Sequence, residues 1–176
     1  MNNFICKVAT LEEITKRMDY LIETHPNNNL WVIAKENAIR GYNEKSKIMY
    51  IGILDNEIIC EATAYIKEEA FVGDIENAEE LISNNIVYLS AFRTNKEHEN
   101  KGFFSKLFKY MENDLKEKGY TEMSLGVGID ENRNKEIYSH LGFENYIKTT
   151  TEYLPAKDRN SKPIEEVVEF YYKKIS

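Results

Sequence analysis

The sequence predicts a single α/β domain built on a mixed, mostly antiparallel sheet of about seven strands flanked by helices. Three observations carry that prediction. Short β-branched and aromatic runs alternate with amphipathic runs of helical period through a chain of 176 residues, a length that suits one domain spanning 1–176. Two of the strand-like runs are joined by Asp55-Asn56, a pair suited to a tight hairpin turn. Residues 86–143 then read, in order, as strand, Gly-containing turn, amphipathic helix, strand and helix.

The elements follow in chain order. Residues 4–8 read as a short strand, and Thr10-Leu11-Glu12-Glu13 forms a capping box that launches a helix with Leu11, Ile14, Met18, Leu21 and Ile22 on one side. His25-Pro26-Asn27-Asn28-Asn29 ends it, and a second helix is predicted over 30–39, before Gly41, with Trp31, Ile33 and Ala34 on its apolar face. Residues 47–54 and 57–66 are β-rich and pair across the hairpin. Residues 67–85 are acidic and read as a loop with one helical turn at 78–82. That loop is either a solvated face or an acidic lip over an acceptor pocket. The C-terminal part reads as two strands, around 145–153 and 166–174, separated by a 155–163 loop bounded by prolines.

The central stretch carries the chemistry. Ile86 to Thr94 starts β-branched and aromatic and ends polar, as a strand running into a loop does. After Asn100-Lys101-Gly102 come Phe103, Phe104, Leu107, Phe108, Met111 and Leu115, an apolar stripe on one helix face, with Gly119 as its stop. A Gly turn feeding a helix leaves main-chain N-H groups pointing outward at the positive end of the helix dipole, an arrangement that takes phosphate. Lys101, Lys106 and Lys109 lie near that terminus and either offset phosphate charge or stand solvated.

With Glu99-Asn100-Lys101-Gly102-Phe103-Phe104-Ser105 followed by Asn134-Lys135-Glu136-Ile137-Tyr138-Ser139-His140-Leu141-Gly142-Phe143, the chain resembles the GNAT superfamily of acyl-CoA-dependent N-acyltransferases over about 60 residues. The family turn is Arg/Gln-x-x-Gly-x-Gly/Ala. Glu99 therefore stands where the family has Arg or Gln, and Phe104 where it has a second Gly, so that either the turn is wider or the Phe104 ring points into the core. The resemblance implies a GNAT-like fold in which the fourth and fifth strands, here 86–94 and 121–127, splay into a V that admits the pantetheine arm of acetyl-CoA. It implies that Phe92, Arg93 and Thr94 meet the pantetheine amides, and that Asn100, Lys101, Gly102, Phe103, Phe104 and Ser105 meet the pyrophosphate. Tyr138 matches the family's general acid, though it is also one of twelve tyrosines and could be a packed aromatic.

The implied reaction is transfer of an acetyl group from acetyl-CoA to a primary amine of a small molecule or peptide, by direct attack in a ternary complex. An alkylamine has a pKa near 10.4, so only roughly one molecule in a thousand is unprotonated at neutral pH, and a base or water chain must take its proton. Glu61, amid Ile58, Ile59, Cys60, Ala62 and Ala64, is the candidate base, with an outward-facing strand position as the alternative. Tyr88 and Ser90 share a strand face and could line the acceptor pocket. Asn134, one turn before Tyr138, is a pantetheine partner or a helix cap. The alternative to an enzyme is an acyl-CoA-sensing module without turnover.

Composition narrows the classes. A net charge of -7 disfavours nucleic acid and suits a cationic acceptor. No apolar run is long enough to span a bilayer, and the first residues lack the basic start and apolar centre of a signal peptide, so no membrane partner and a cytoplasmic location are expected. Cys6 and Cys60 fall in strand-like runs and read as buried thiols, and the three histidines show no ligand spacing, so no metal is expected. Exposed C-terminal strand edges could pair two chains as a homodimer.

Overall fold

The structure, a computed structural model, describes residues 3–26, 28–71, 78–154 and 164–175. The 155–163 loop read from the sequence, and residues 72–77 of the acidic segment, lie outside these. Among the described residues, strands β1 (Phe4–Val8), β2 (Lys47–Leu54), β3 (Glu57–Tyr65), β4 (Ile86–Thr94), β5 (Glu122–Gly128), β6 (Asn145–Leu154) and β7 (Ile164–Lys174) form one sheet in the order β1-β2-β3-β4-β5-β7-β6. Only β4 and β5 pair in parallel; the other five pairings are antiparallel. The predicted mixed sheet of seven strands is therefore present.

Helices α1 (Leu11–Thr24) and α2 (Leu30–Asn43) cover one face of the sheet, while α3 (Phe103–Glu117) and α4 (Asn132–His140) lie toward the other. The capping box forms as read: Glu13 N-H donates to Thr10 Oγ1 (3.3 Å), and Thr10 N-H donates to Glu13 Oε2 (2.8 Å). On the α1 side, Ile14, Met18 and Leu21 pack on Met49, Ile51 and Ile58. On the α3 side, Leu107, Phe108, Met111 and Leu115 pack on Ala62, Ala64, Val87 and Leu125. Both cores come from alternation along the central strands, interrupted where their register shifts. Asp55 and Asn56 both have positive φ (48° and 72°), the backbone that a two-residue hairpin needs for its twist to match the strands. No helix among the described residues is long and apolar enough to cross a membrane.

α2 runs four residues past its predicted end. Gly41, read as a stop, is a buried helical residue whose missing side chain makes room: a Cβ there would lie 2.6 Å from Lys47 Cγ and Cδ. The Lys47 stem fills that space and its ammonium sits 4.2 Å from the centre of the Tyr65 ring. Burial, with a smaller contribution from Arg40, pushes the Lys47 pKa down to about 8. The folded chain then carries fewer protons than the unfolded one between about 8 and the ordinary value near 10.4, so stability rises with pH across that window. Lys47→Met is expected to raise the melting temperature at pH 7, with the gain shrinking as pH approaches 10; thermal melts at the two pH values check it, and an equal shift at both would refute it.

Candidate active site

The site begins where two strands stop pairing. β4 and β5 are in register from Ile86↔Glu122 to Leu89↔Leu125 and no further, while β4 continues along β3 to Thr94 and β5 along β7 to Gly128. The strands therefore part beyond Leu89 and Leu125, giving the expected V. At its mouth β4 is bulged: Thr63 faces Ser90 but Glu61 faces Arg93, so Ala91 and Phe92 oppose the single residue Ala62, and Ala91 has φ 59°. Asn95 N-H donates to Ile59 C=O (2.8 Å). In an antiparallel ladder that alternation turns the main chain of Arg93 toward β3 and that of Phe92 and Thr94 toward the opening. Of the three residues expected at the pantetheine, Arg93 turns its side chain to Glu61.

The Gly turn lies at the end of the same strand. Asn100 (φ 59°) and Gly102 (φ 77°, ψ 5°) are left-handed, and Gly102 is the N-cap of α3. A Cβ on Gly102 would meet nothing within 4 Å, so conformation rather than crowding calls for glycine. Lys106 N-H donates to Gly102 C=O (3.3 Å), which leaves the amides of Phe103, Phe104 and Ser105 ahead of the first helical bond. No side chain caps this end and no acid lies in its first turn. Lys101 and Lys106 are exposed beside it, whereas Lys109 pairs with Glu112 at 3.4 Å.

The two departures in the turn find physical accounts. Phe104 turns its ring inward, 5.0 Å from Phe92 and 6.5 Å from Phe108 between ring centres, while Phe103 packs on Phe4 at 4.8 Å. The turn keeps its shape because these rings go to the core. Glu99 accepts from Arg133 Nη2 of α4 at 3.2 Å, so a guanidinium stands at the turn although the sequence has an acid there.

Tyr138 of α4 is half-buried with its ring edge-on to Phe92 at 5.7 Å, on the α3 side of the opening. Burial first, and the charge of Glu131 second, push its pKa above the usual tyrosine value, so the phenol keeps its proton in the neutral range. Asn134 Nδ2 donates to Glu131 Oε2 (3.0 Å), and α4 has no side-chain cap; the capping alternative for Asn134 is not what forms.

Glu61 is fully buried, not outward-facing. Its Oε2 accepts from Arg17 Nε and its Oε1 from Arg93 Nη1. Arg17, 2% exposed on α1, also donates to Ile58 C=O (3.2 Å) and Asn95 Oδ1 (2.7 Å). The Arg93 guanidinium rests on the Trp31 ring at 4.7 Å. Arg17 escaped the sequence reading, yet it had a signal: it sits beside Met18 in the apolar stripe of α1, where a charge needs a buried partner.

On the α1 face of the opening, the rings of Tyr65, Phe71 and Tyr88 meet at 4.9 to 5.6 Å. The Tyr88 phenol reaches over β5, 3.0 Å from where a Gly126 Cβ would be. Ser90 lies beside the Tyr65 phenol. Thus the predicted pairing of Tyr88 and Ser90 on one face holds, and Tyr65 and Phe71 join them.

The sheet opens at a bulge beside a left-handed turn and a capless helix, the arrangement expected of a GNAT-like fold. Residues 72–154 match the model of the FR47-like protein family. An N-acetyltransferase from Staphylococcus aureus superposes with a TM-score of 0.65 at 11% identity, covering 99% of each chain. The ribosomal-protein-S18-alanine N-acetyltransferase of Escherichia coli gives 0.66 at 12% identity, over 99% of this chain and 95% of that one. The Salmonella typhimurium protein yncA, solved with its cofactor acetyl-CoA, also gives 0.66 at 12%, with the same coverage. No curated protein matches the chain by sequence. These structural matches show the GNAT-like fold that the sequence resemblance implied.

Proposed function

We propose that the chain, acting as one domain, transfers an acetyl group from acetyl-CoA to a primary amine of a small molecule or peptide by direct attack in a ternary complex. One observation carries the reading: the bulged end of β4 leaves β5 directly before the Gly102 turn, with the Tyr138 phenol at the same opening. Acetyl-CoA supplies the activated acetyl thioester. The unpaired amides of Phe103, Phe104 and Ser105, with Asn100, Lys101 and Gly102 before them, suit its pyrophosphate, and Lys101, Lys106 and Arg133 add positive charge. Main-chain groups of Phe92 and Thr94 suit the pantetheine amides, and Asn134 stands one helical turn from Tyr138 for the same arm.

At the bulge, a main-chain N-H turned out of the β3 ladder stabilises charge building on the carbonyl oxygen. Tyr138 donates its proton to the departing sulfur. Glu61 we read as an anchor rather than the base, because both its oxygens already accept from guanidinium groups and its side chain has no exposed surface. It fixes Arg93, and through it the Trp31 ring, at the acceptor side.

Calorimetric titration tests the cofactor step. Acetyl-CoA is expected to bind at micromolar concentration and acetyl-pantetheine, lacking the phosphates, at least about tenfold more weakly, since each charge-assisted phosphate contact contributes roughly 1.5–3 kcal/mol. Equal affinities would remove the Gly102 turn from the site. Binding without thiol release over a panel of amines would favour the sensing module.

A further inference from the structure

We propose that Glu152 of β6 receives the ammonium of the acceptor and takes its proton, making the acceptor a cationic primary amine; this rests on the acetyltransferase reading above. The first observation is an oxygen without a donor. Glu152 Oε1 is shielded from solvent and accepts no hydrogen bond in the structure. Natural proteins rarely leave a buried carboxylate oxygen unserved, because it has lost its water without gaining a partner.

The second observation is what surrounds it. Glu152 lies directly across from Glu166 of β7, and its charge reaches the phenols of Tyr65 on β3 and Tyr88 on β4. Neither phenol is hydrogen-bonded to Oε1. Aromatic faces beside a carboxylate are a suitable seat for an alkylammonium, and the edge-packed trio of Tyr65, Phe71 and Tyr88 supplies them.

The third observation is position. Tyr88 is the last residue but one of β4 to pair with β5, and its phenol reaches Gly126, the first residue of β5 beyond that pairing. The wall that carries Glu152 therefore borders the opening. The phosphate turn and Tyr138 occupy the α3 side, so an acceptor enters from the α1 side, past this wall.

The charges facing Glu152 favour a cation. Glu166 is its cross-strand neighbour, and Glu131 lies against Glu166 near Gly128. Among the described residues, the positive groups around are engaged: Lys148 of β6 pairs with Glu80, Lys47 lies over Tyr65, and Arg93, which reaches Tyr65, pairs with Glu61. Burial first, then Glu166, raises the Glu152 pKa and makes the carboxylate a stronger base than an ordinary one.

The step balances. Glu152 takes one proton from the ammonium, the amine nitrogen bonds the acetyl carbon as the carbon–sulfur bond breaks, and Tyr138 protonates the sulfur. The second amine proton restores the Tyr138 phenol, and Glu152 releases its own to water.

Spermidine, a polycation with two primary amines, is the probe. Wild-type protein and Glu152→Gln, both saturated with CoA, are titrated with spermidine at pH 8, and acetyl transfer to it is followed by thiol release from pH 6 to 9. The inference expects spermidine affinity to fall about tenfold or more in Glu152→Gln, as loss of a charged hydrogen bond does. Acetyl-CoA affinity should hold, and the rise of kcat/KM with pH in the wild type should flatten in the variant. Equal spermidine affinity in both proteins, or none in the wild type, overturns the inference. Failure of the wild type to bind acetyl-CoA overturns the acetyltransferase reading instead. A melting temperature for Glu152→Gln at or above that of the wild type is expected, because an unserved buried charge is removed, and it separates lost recognition from lost folding. Glu166→Gln should weaken spermidine less than Glu152→Gln; the reverse order would move the role to Glu166 and overturn the assignment.

Discussion

Replacing Tyr138 by Phe is expected to lower kcat for amine acetylation by roughly 10²- to 10⁴-fold, the usual contribution of a positioned proton donor, with acetyl-CoA affinity unchanged. The ring that meets Phe92 edge-on at 5.7 Å is kept, so packing around the opening survives. Only the hydroxyl is lost. Because burial raises the Tyr138 pKa, the phenol remains a donor up to and beyond the ordinary tyrosine value of about 10. A rate that depends on the protonated phenol should hold to that pH and then fall, and the fall should be absent in the variant. Steady-state kinetics across pH, with acetyl-CoA binding measured in parallel, make the check. An unchanged kcat, or the same alkaline fall in both proteins, would leave Tyr138 as a packed aromatic.

The second large effect is on stability. Glu61→Leu is expected to destabilise the fold by about 3–5 kcal/mol, because it leaves the buried Arg17 guanidinium without its carboxylate. For a domain of this size that corresponds to a fall in melting temperature of roughly 6–20 °C. Arg93→Ala should cost much less, since the Arg93 side chain is 34% exposed and water replaces its partner. Arg17→Met combined with Glu61→Leu should recover part of the loss, as apolar groups of similar size can stand in for a buried pair. Thermal unfolding of the three variants decides it. A melting temperature for Glu61→Leu within a degree of the wild type would mean that the network is not what holds α1 to the sheet.

These two residues show the reach and the limit of sequence reasoning. Tyr138 is picked out as the candidate acid by a local signal: it falls four residues after Asn134 on one helix and just before Leu141-Gly142-Phe143. The surroundings of Glu61 were not. Its apolar neighbours in sequence suggested a carboxyl in a greasy setting, but neighbours along a strand point to the opposite face of the sheet. Its actual partners lie 44 residues before it and 32 after it. The same holds for Glu152, whose strand carries no motif and whose meaning comes from Tyr65, Tyr88 and Glu166 on three other strands.

By itself the sequence determined every element whose cause lies within a few residues: the Thr10 capping box, the Asp55-Asn56 hairpin, the alternation of the central strands, the apolar stripe of α3 and the left-handed turn at Gly102. Caps, turns and periodicity depend on local backbone and neighbouring side chains, so they can be read along a line. The tertiary structure alone decided that Gly41 continues a helix by giving room to Lys47, that Phe104 turns into the core onto Phe92, that Arg133 brings a cation to a turn holding Glu99, and that β7 inserts between β5 and β6. Each of these is a match of volume, charge or hydrogen-bonding edges between segments distant in the chain. Such matches exist only once the sheet has closed and chosen which face each side chain occupies.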